Sequence, residues 1–419
     1  MENHKIIIFE HNKITVGKEL TPEQHLALQK FHTKNDTFFK LIQNGVKFNQ
    51  FVGVLQVGNL TIEILPKLDN NEKDETVWRN RLISMLKYVG YLKVHAPTQS
   101  SLSVHHSSIL ELYIELFCRE VETLMHKGLI KKYRIEESNQ KALKGALVFS
   151  KHISKNLVHK ELFFVRSSTY DVNHPIHQIL YAALLVLKRL QISPSLHTLI
   201  AKITMFFPEQ KKITVTQKTF DTLRINRKTE SYRTALMIAK LILLQFHPDV
   251  KEGKNDILAL LFDMNRLWEA YVGTFLKKSL GVGYEVSTKY NSRDFTTHGK
   301  LIKPDIIISK GDKKIILDAK WKQKKEKDNV ASSDMYQIYA YGKYFNTDNV
   351  ALIFPGKFPT KSFNFLNEKN ETDRVKCSMI KDDDFGDEKF FSLWDWINFA
   401  LQNNTPLPYP LPNGAREII

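Results

Sequence analysis

Residues 303–320 read KPDIIISKGDKKIILDAK, and this stretch constrains the chain more than any other. Two apolar runs, 306–308 and 315–317, flank a Gly311-Asp312 pair and end in charged residues on both sides. Gly in the first position of a two-residue loop predicts a type II′ hairpin turn, because that position needs φ > 0. Centring the hairpin on the loop pairs Asp305 with Asp318 across the strands. Facing residues of an antiparallel pair have Cβ atoms about 4.5–5.5 Å apart, close enough for two carboxylates to share a divalent cation. Lys320 lies two residues past Asp318 and so on the same face.

Two carboxylates and an ammonium on one side of a hairpin end suit hydrolytic chemistry on phosphates. Hard carboxylate oxygens match Mg²⁺, which keeps several waters and also takes a substrate phosphate oxygen. The Ala319 carbonyl offers a third ligand, and Lys320 could orient or deprotonate a water and offset charge on the phosphate. The plain alternative is a surface hairpin with a salt bridge. Like charges directly opposite each other weaken a sheet unless something binds them, which favours the site.

Pro304-Asp305 with Asp318-Ala319-Lys320 resembles the PD-(D/E)xK nuclease signature, and the flanks resemble McrC, the nuclease subunit of McrBC modification-dependent restriction systems. The supporting matches are Asn265-Arg266-Leu267-Trp268-Glu269 upstream and residues 334–341, DMYQIYAY, downstream, followed by an apolar strand ending Phe354-Pro355. Residues 62–67, IEILPK, also look McrC-like, so the resemblance spans most of the chain. It implies Mg²⁺ as cofactor, with Asp305, Asp318, Ala319 and Glu269 as its ligands. It further implies DNA as substrate and a McrB-like AAA+ GTPase ring as partner. Glu269 matches the acid that the family places on the helix before the hairpin. Gln337 and Tyr341, four residues apart and thus on one helix face, match a pair lining the site in related nucleases. No GxxxxGK[ST] loop occurs in the chain, which fits a division of labour with a separate GTPase.

Length and charge set looser bounds. A chain of 419 residues holds two or three domains. Its net charge of +16 and pI of about 9.4 favour a polyanionic partner such as DNA. No apolar run reaches the ~18 residues of a membrane span, and the first nine residues lack a signal-peptide pattern, so a cytoplasmic location is expected. Cys118 and Cys377 form no disulfide framework or zinc set and read as core thiols.

The expected fold is mixed α+β in three parts: a β-rich module over 1–70, a mainly helical region over 71–250, and a PD-(D/E)xK nuclease domain over 255–419. In the first part, strands are expected at 5–9, 48–57 and 60–65, with a Gly58-Asn59 hairpin and a helix opened by the Thr21 capping box. The resemblance makes this module the partner contact, whereas Glu63 and Lys67 read equally well as a solvated strand face. In the second, helices are expected at 78–91, 109–125, 177–190, 195–207 and 232–246, and strands near 132–136 and 146–150. His105, His106, His152, His159, His174 and His177 match no metal-ligand spacing, and Asn173-His174-Pro175 reads as a helix entry. Polar residues 248–255 mark the boundary.

The third part is expected to open with a helix over 256–280 that places Phe262, Glu269, Val272 and Leu276 on one face. An Arg266–Glu269 surface pair is the plain alternative for Glu269. A helix over 334–345 and a strand over 350–354 should then make a crossover to a parallel strand pair. Apart from Lys320, the lysines of the basic run 320–327 suit phosphate contacts, and solvated loop charge is an equally good account; residues 391–401 are expected to form a peripheral helix and the tail from Thr405 to be extended. Homodimerisation through the nuclease domain is a further expectation. Two alternatives to the endonuclease subunit stand: a non-catalytic scaffold that activates the GTPase, and a stand-alone nuclease.

Overall fold

A computed structural model shows a mixed α/β chain built on two large sheets. It describes residues 4–33, 35–66, 74–92, 108–248, 255–288, 293–294, 296, 298–299, 301–322, 330–356, 361–382, 393, 396–397 and 400–401.

The N-terminal elements follow their sequence signals closely. Thr21 starts the helix Pro22–His32 with a reciprocal capping box, Gln24 N donating to Thr21 Oγ1 and Thr21 N to Gln24 Oε1. Gly58-Asn59 closes the hairpin between Phe51–Val57 and Leu60–Leu65, with Gly58 at φ 57°. The expected strand 48–57 is in fact two, Gly45–Phe48 and Phe51–Val57, which belong to different sheets. Strands Phe51–Val57 and Leu60–Leu65 are apolar at most positions because both sheet faces are covered. Leu55, Val57, Ile62 and Ile64 meet the helix Pro22–His32 and the small sheet of Lys13–Thr15, Gly45–Phe48 and Phe39–Ile42, while Val52, Val54 and Leu65 meet the helices of the main core.

One expectation is corrected here. Residues Ile257–Asp263 form a strand, not the first turns of a helix, and it pairs antiparallel with Phe51–Val57 from Ile257↔Val57 to Asp263↔Phe51. The run is apolar from Ile257 to Phe262, and such a run cannot be told from a buried helix by periodicity. Phe262 is therefore a strand residue, and the helix begins at Met264, its N-terminus capped by the Asp263 carboxylate. Gly53 is required where these strands cross: at φ 130°, a Cβ there would lie 2.1 Å from the Leu260 carbonyl oxygen. Most of the expected boundary, residues 249–254, lies outside the described residues.

Glu63 is also corrected, being fully buried rather than solvated. Arg79 grips it with two hydrogen bonds of 2.9 and 2.8 Å, and Lys5 Nζ approaches to 2.9 Å. Alternation along the strand turns Glu63 towards the helix Glu75–Val89, which carries Arg79, so the carboxylate fastens the sheet to the helices. Lys67 lies outside the described residues.

Helices Glu75–Val89, Ile109–His126, Pro175–Leu187, Pro194–Phe206 and Arg233–Leu244 realise the predicted periodicity around a core continuous from Val52 through Trp268 to Ile353. Between them Lys132–Gln140 pairs with Phe163–Asp171 as an arm; residues Ala146–Leu147 are strand as expected, but Phe149–Asn156 is helix. His174 and His177 hold the root of this arm: His174 Nε2 donates to the Ile130 carbonyl at 3.1 Å and His177 Nδ1 to that of Val172 at 2.7 Å. Burial lowers the His177 pKa to about 4, so it stays neutral. His152 bonds Asn156, His159 sits exposed beside Glu161, and His105 and His106 lie outside the described residues.

The C-terminal sheet runs Glu285–Ser287, Ile306–Lys310, Lys313–Ala319, Asn349–Pro355, Thr372–Asp382, Lys361–Leu366. Lys313–Ala319 and Asn349–Pro355 are parallel and joined through the helix Ser332–Tyr344, the predicted crossover. The last two strands were not foreseen, although Val375, Cys377 and Met379 alternate with polar residues as a strand should. Leu393, Trp396, Ile397, Ala400 and Leu401 are helical and buried, and the tail from Thr405 lies outside the described residues. Cys118 and Cys377 are buried free thiols. Among the described residues no helix is long and apolar enough to cross a membrane.

Candidate active site

The hairpin forms in the predicted register, Ile306↔Leu317 through Lys310↔Lys313. Gly311 has φ 58° and Asp312 is not among the residues of positive φ, as a type II′ turn requires. Alternation then sorts the strand: Ile315, Leu317 and Ala319 enter the main core, while Ile316 faces the helix Ser332–Tyr344. Asp318 and Lys320 share the face of Ile316, and Asp305, one residue before the ladder, joins them. Its Oδ2 accepts a hydrogen bond from Ala319 N at 2.9 Å, which carries the cross-strand placement past the last ladder pair.

Lys320 is held by what surrounds it. Its Nζ lies 2.8 Å from Asp318 Oδ2 and donates to Gln337 Oε1 at 3.0 Å. Gln337 Nε2 donates to Tyr341 Oη at 2.7 Å, and Tyr341 donates to the Lys303 carbonyl at 2.9 Å. An ammonium can only donate and a carbonyl can only accept, so the two ends fix the direction of every bond between. Gln337 and Tyr341 thus sit where the four-residue spacing put them, and they orient Lys320. The strand-to-helix contact has a second member that the sequence reading missed. Lys322 Nζ meets both oxygens of the buried Asp334, at 3.0 and 2.8 Å. The signal was available, since Asp334 precedes Gln337 by three residues and Lys322 follows Lys320 by two. Lys324, Lys325 and Lys327 of the basic run lie outside the described residues.

Electrostatics mark the two aspartates as a crowded pair. Burial, then the charges of Asp318 and Glu269, push Asp305 up to about 8. Burial also raises Asp318, with Lys320 pulling in the opposite direction. Asp318 is 1% exposed, and its Oδ1 finds no hydrogen-bond partner among the described residues. A buried carboxylate oxygen left bare is costly unless a cation or donor is meant to meet it. Lys320 loses by burial but gains more from Asp318, so its pKa is raised and it remains an ammonium.

Glu269 stands on the helix Met264–Ser279, half-buried, its carboxyl raised by burial first and by Asp318 next. It feels the site through the charge of Asp318, and among the described residues no ion pair joins Arg266 to Glu269. Among the described residues no group of three His, Cys, Asp or Glu side chains converges as a complete ligand set. A cation here would take the two aspartates and the Ala319 carbonyl, with waters filling its remaining positions. Such an oxygen set suits a hard divalent cation.

The crowding yields a prediction. Because the folded-state pKa of Asp305 is raised, its share of stability is present below about pH 4 and is lost as pH rises towards 8. Asp305→Asn can still accept the Ala319 N–H and escapes this loss. Its melting temperature should match wild type at pH 4 and exceed it by several degrees at pH 8. Added Mg²⁺ should raise the wild-type melting temperature at pH 8 and leave that of Asp305→Asn nearly unchanged. Equal pH profiles for the two proteins would remove the charge crowding from the account.

The family model described as "McrBC 5-methylcytosine restriction system component" matches residues 46–355, about three quarters of the chain. The chain belongs to this McrBC family. Among solved structures it is similar to a chain in "Refined half-complex from tetradecameric assembly of Thermococcus gammatolerans McrB AAA+ hexamers with bound McrC". That match has TM-score 0.68 and 20% identity, and covers 94% of this chain and 100% of the other, which shows a shared fold. A second, the cryo-EM structure of the Thermococcus gammatolerans McrBC complex, gives TM-score 0.49 and 20% identity over 68% of this chain and 89% of the other. No curated protein matches the chain. The McrBC family match covers the strands Phe51–Val57 and Leu60–Leu65, the helical region, Glu269, the hairpin and the helix with Gln337 and Tyr341.

Proposed function

We propose that this McrBC-family chain is a Mg²⁺-dependent DNA endonuclease subunit that works with a McrB-like GTPase ring on DNA carrying 5-methylcytosine-type modification. The observation that carries the reading is the placement of Asp305, Asp318 and Lys320 on one face at the open end of the hairpin, with Lys320 fixed by Gln337. Asp305 and Asp318 would hold the ion together with the Ala319 carbonyl, and Glu269 would reach it directly or through its water. Bound there, Mg²⁺ supplies Lewis acidity and a water of lowered pKa. Lys320, as an ammonium, orients that water by donating to it and offsets the negative charge that develops on the phosphate. Gln337 keeps it aimed, and Tyr341 keeps Gln337 aimed. The net charge of +16 favours the phosphate backbone whatever the sequence.

The scaffold reading fits these residues less well, because a chain that only activates a GTPase has no use for two buried, mutually repelling carboxylates. The two readings separate in one pair of assays with a McrB-like GTPase. Asp305→Ala should lose cleavage of methylated plasmid while still stimulating GTP turnover, since coupling to the partner needs contacts and not chemistry. Wild-type cleavage by Asp305→Ala would end the nuclease assignment.

A further inference from the structure

Trp321 directly follows Lys320, and its indole Nε1 donates to Glu10 Oε1 at 2.8 Å. Glu10 is separated from it by 311 residues and belongs to the N-terminal module, in the turn after the strand His4–Phe9. Both groups are buried, Glu10 at 2% and Trp321 at 7% exposure. Glu10 is itself tied to the sheet, its N–H donating to the Leu65 carbonyl at 2.9 Å. A carboxylate buried this far from water is retained at a cost, which the charge-assisted hydrogen bond from Trp321 offsets in part; His11 Nε2 lies 3.8 Å from its other oxygen.

From Trp321 the contact continues into the site. Its ring lies 5.7 Å from that of Trp268, the residue before Glu269. The Ile353 carbonyl accepts from Trp268 Nε1 at 3.3 Å and from Lys320 N at 2.9 Å, so the helix carrying Glu269 and the strand carrying Lys320 end on one oxygen. Trp321 is the central residue of a tight turn, Lys322 N donating to the Lys320 carbonyl at 3.0 Å, so the anchored indole and the Lys320 side chain leave adjacent positions of one closed turn. A change in the seat of Trp321 is therefore passed to Lys320 through a single peptide unit.

We infer that Glu10 is a positioning residue for the catalytic lysine, acting through Trp321, and that it makes the N-terminal module part of the nuclease centre. The inference rests on the endonuclease reading above and adds a residue to it from outside the nuclease domain. Glu10 touches neither substrate nor cation, so its loss acts on the chemical step and leaves DNA binding alone.

The test uses the full-length chain with a McrB-like GTPase and Mg²⁺, with methylated plasmid as substrate and each variant assayed below its melting temperature. Glu10→Ala and Trp321→Phe should each lower kcat about tenfold at unchanged KM, the size expected for a misaligned group rather than a missing one. The double variant should lose no more than either single one, because both remove the same bond. Glu10→Gln keeps an acceptor in place and should recover most of the rate. GTP turnover should stay at the wild-type level in all four. Wild-type kcat in Trp321→Phe, or losses that multiply in the double variant, would overturn the inference even if Glu10→Ala fails to fold. A wild-type chain that cuts no DNA would instead count against the endonuclease reading.

Discussion

Asp318→Asn is expected to fold and to cut no DNA. The substitution keeps the shape of a side chain that is almost wholly buried, and it removes the negative charge that meets Lys320 and would meet the cation. Loss of one charge-stabilising group in such a site costs about 10²-fold or more in kcat. Here the same change also weakens the hold on Lys320, which should make the loss larger. Lys320→Ala should be as severe, since Gln337 and Tyr341 would then orient nothing. The expected signature is lost cleavage with the fold retained and with unchanged stimulation of the partner's GTP turnover. Cleavage by Asp318→Asn at more than a tenth of the wild-type rate would return the hairpin to a structural salt bridge.

Arg79→Ala is expected to be the most destabilising single substitution outside the apolar core. It strips both strong hydrogen bonds from Glu63, a carboxylate with no exposure, and leaves Lys5 as the remaining charged partner. Breaking a buried pair by removing one member costs about 3–5 kcal/mol, because the other charge stays buried. Lys5 should keep the loss near the lower end. Replacing both members, as Glu63→Leu with Arg79→Leu, should recover much of the stability, since a buried ion pair is often no better than packed apolar groups. Thermal unfolding of the three proteins decides this, and a double variant less stable than Arg79→Ala would show that Glu63 contributes more than its desolvation costs.

The N-terminal module shares a sheet and a core with the rest of the chain. Its sheet contains the strand Ile257–Asp263, and Val52, Val54 and Leu65 are part of the main core. Deleting residues 1–70 would leave that strand with only the short Phe246–His247 beside it and would open the main core where those side chains pack. The sequence placed a boundary near 248–255, and the chain does leave the helical region there, but it adds a strand to the N-terminal sheet before it enters the helix with Glu269.

By itself the sequence determined what depends on near neighbours. The hairpin register follows from a two-residue turn and strict alternation, so Asp305, Asp318 and Lys320 could be placed together from spacing. Gln337 and Tyr341 share a helix face because of the 3.6-residue repeat, and the Thr21 box and the Gly58-Asn59 turn are equally local. The tertiary structure alone decided what depends on distant partners. The apolar run from Ile257 to Phe262 becomes a strand because Phe51–Val57 offers an edge to pair with. Glu63 is buried because Arg79 waits on the next helix. Glu10 reaches Trp321 across 311 residues, and no pattern near either of them says so. Local preference is worth tenths of a kcal/mol per residue, while burial of a whole sheet face and the pairing of a buried charge are worth several, so where the two meet the packing decides.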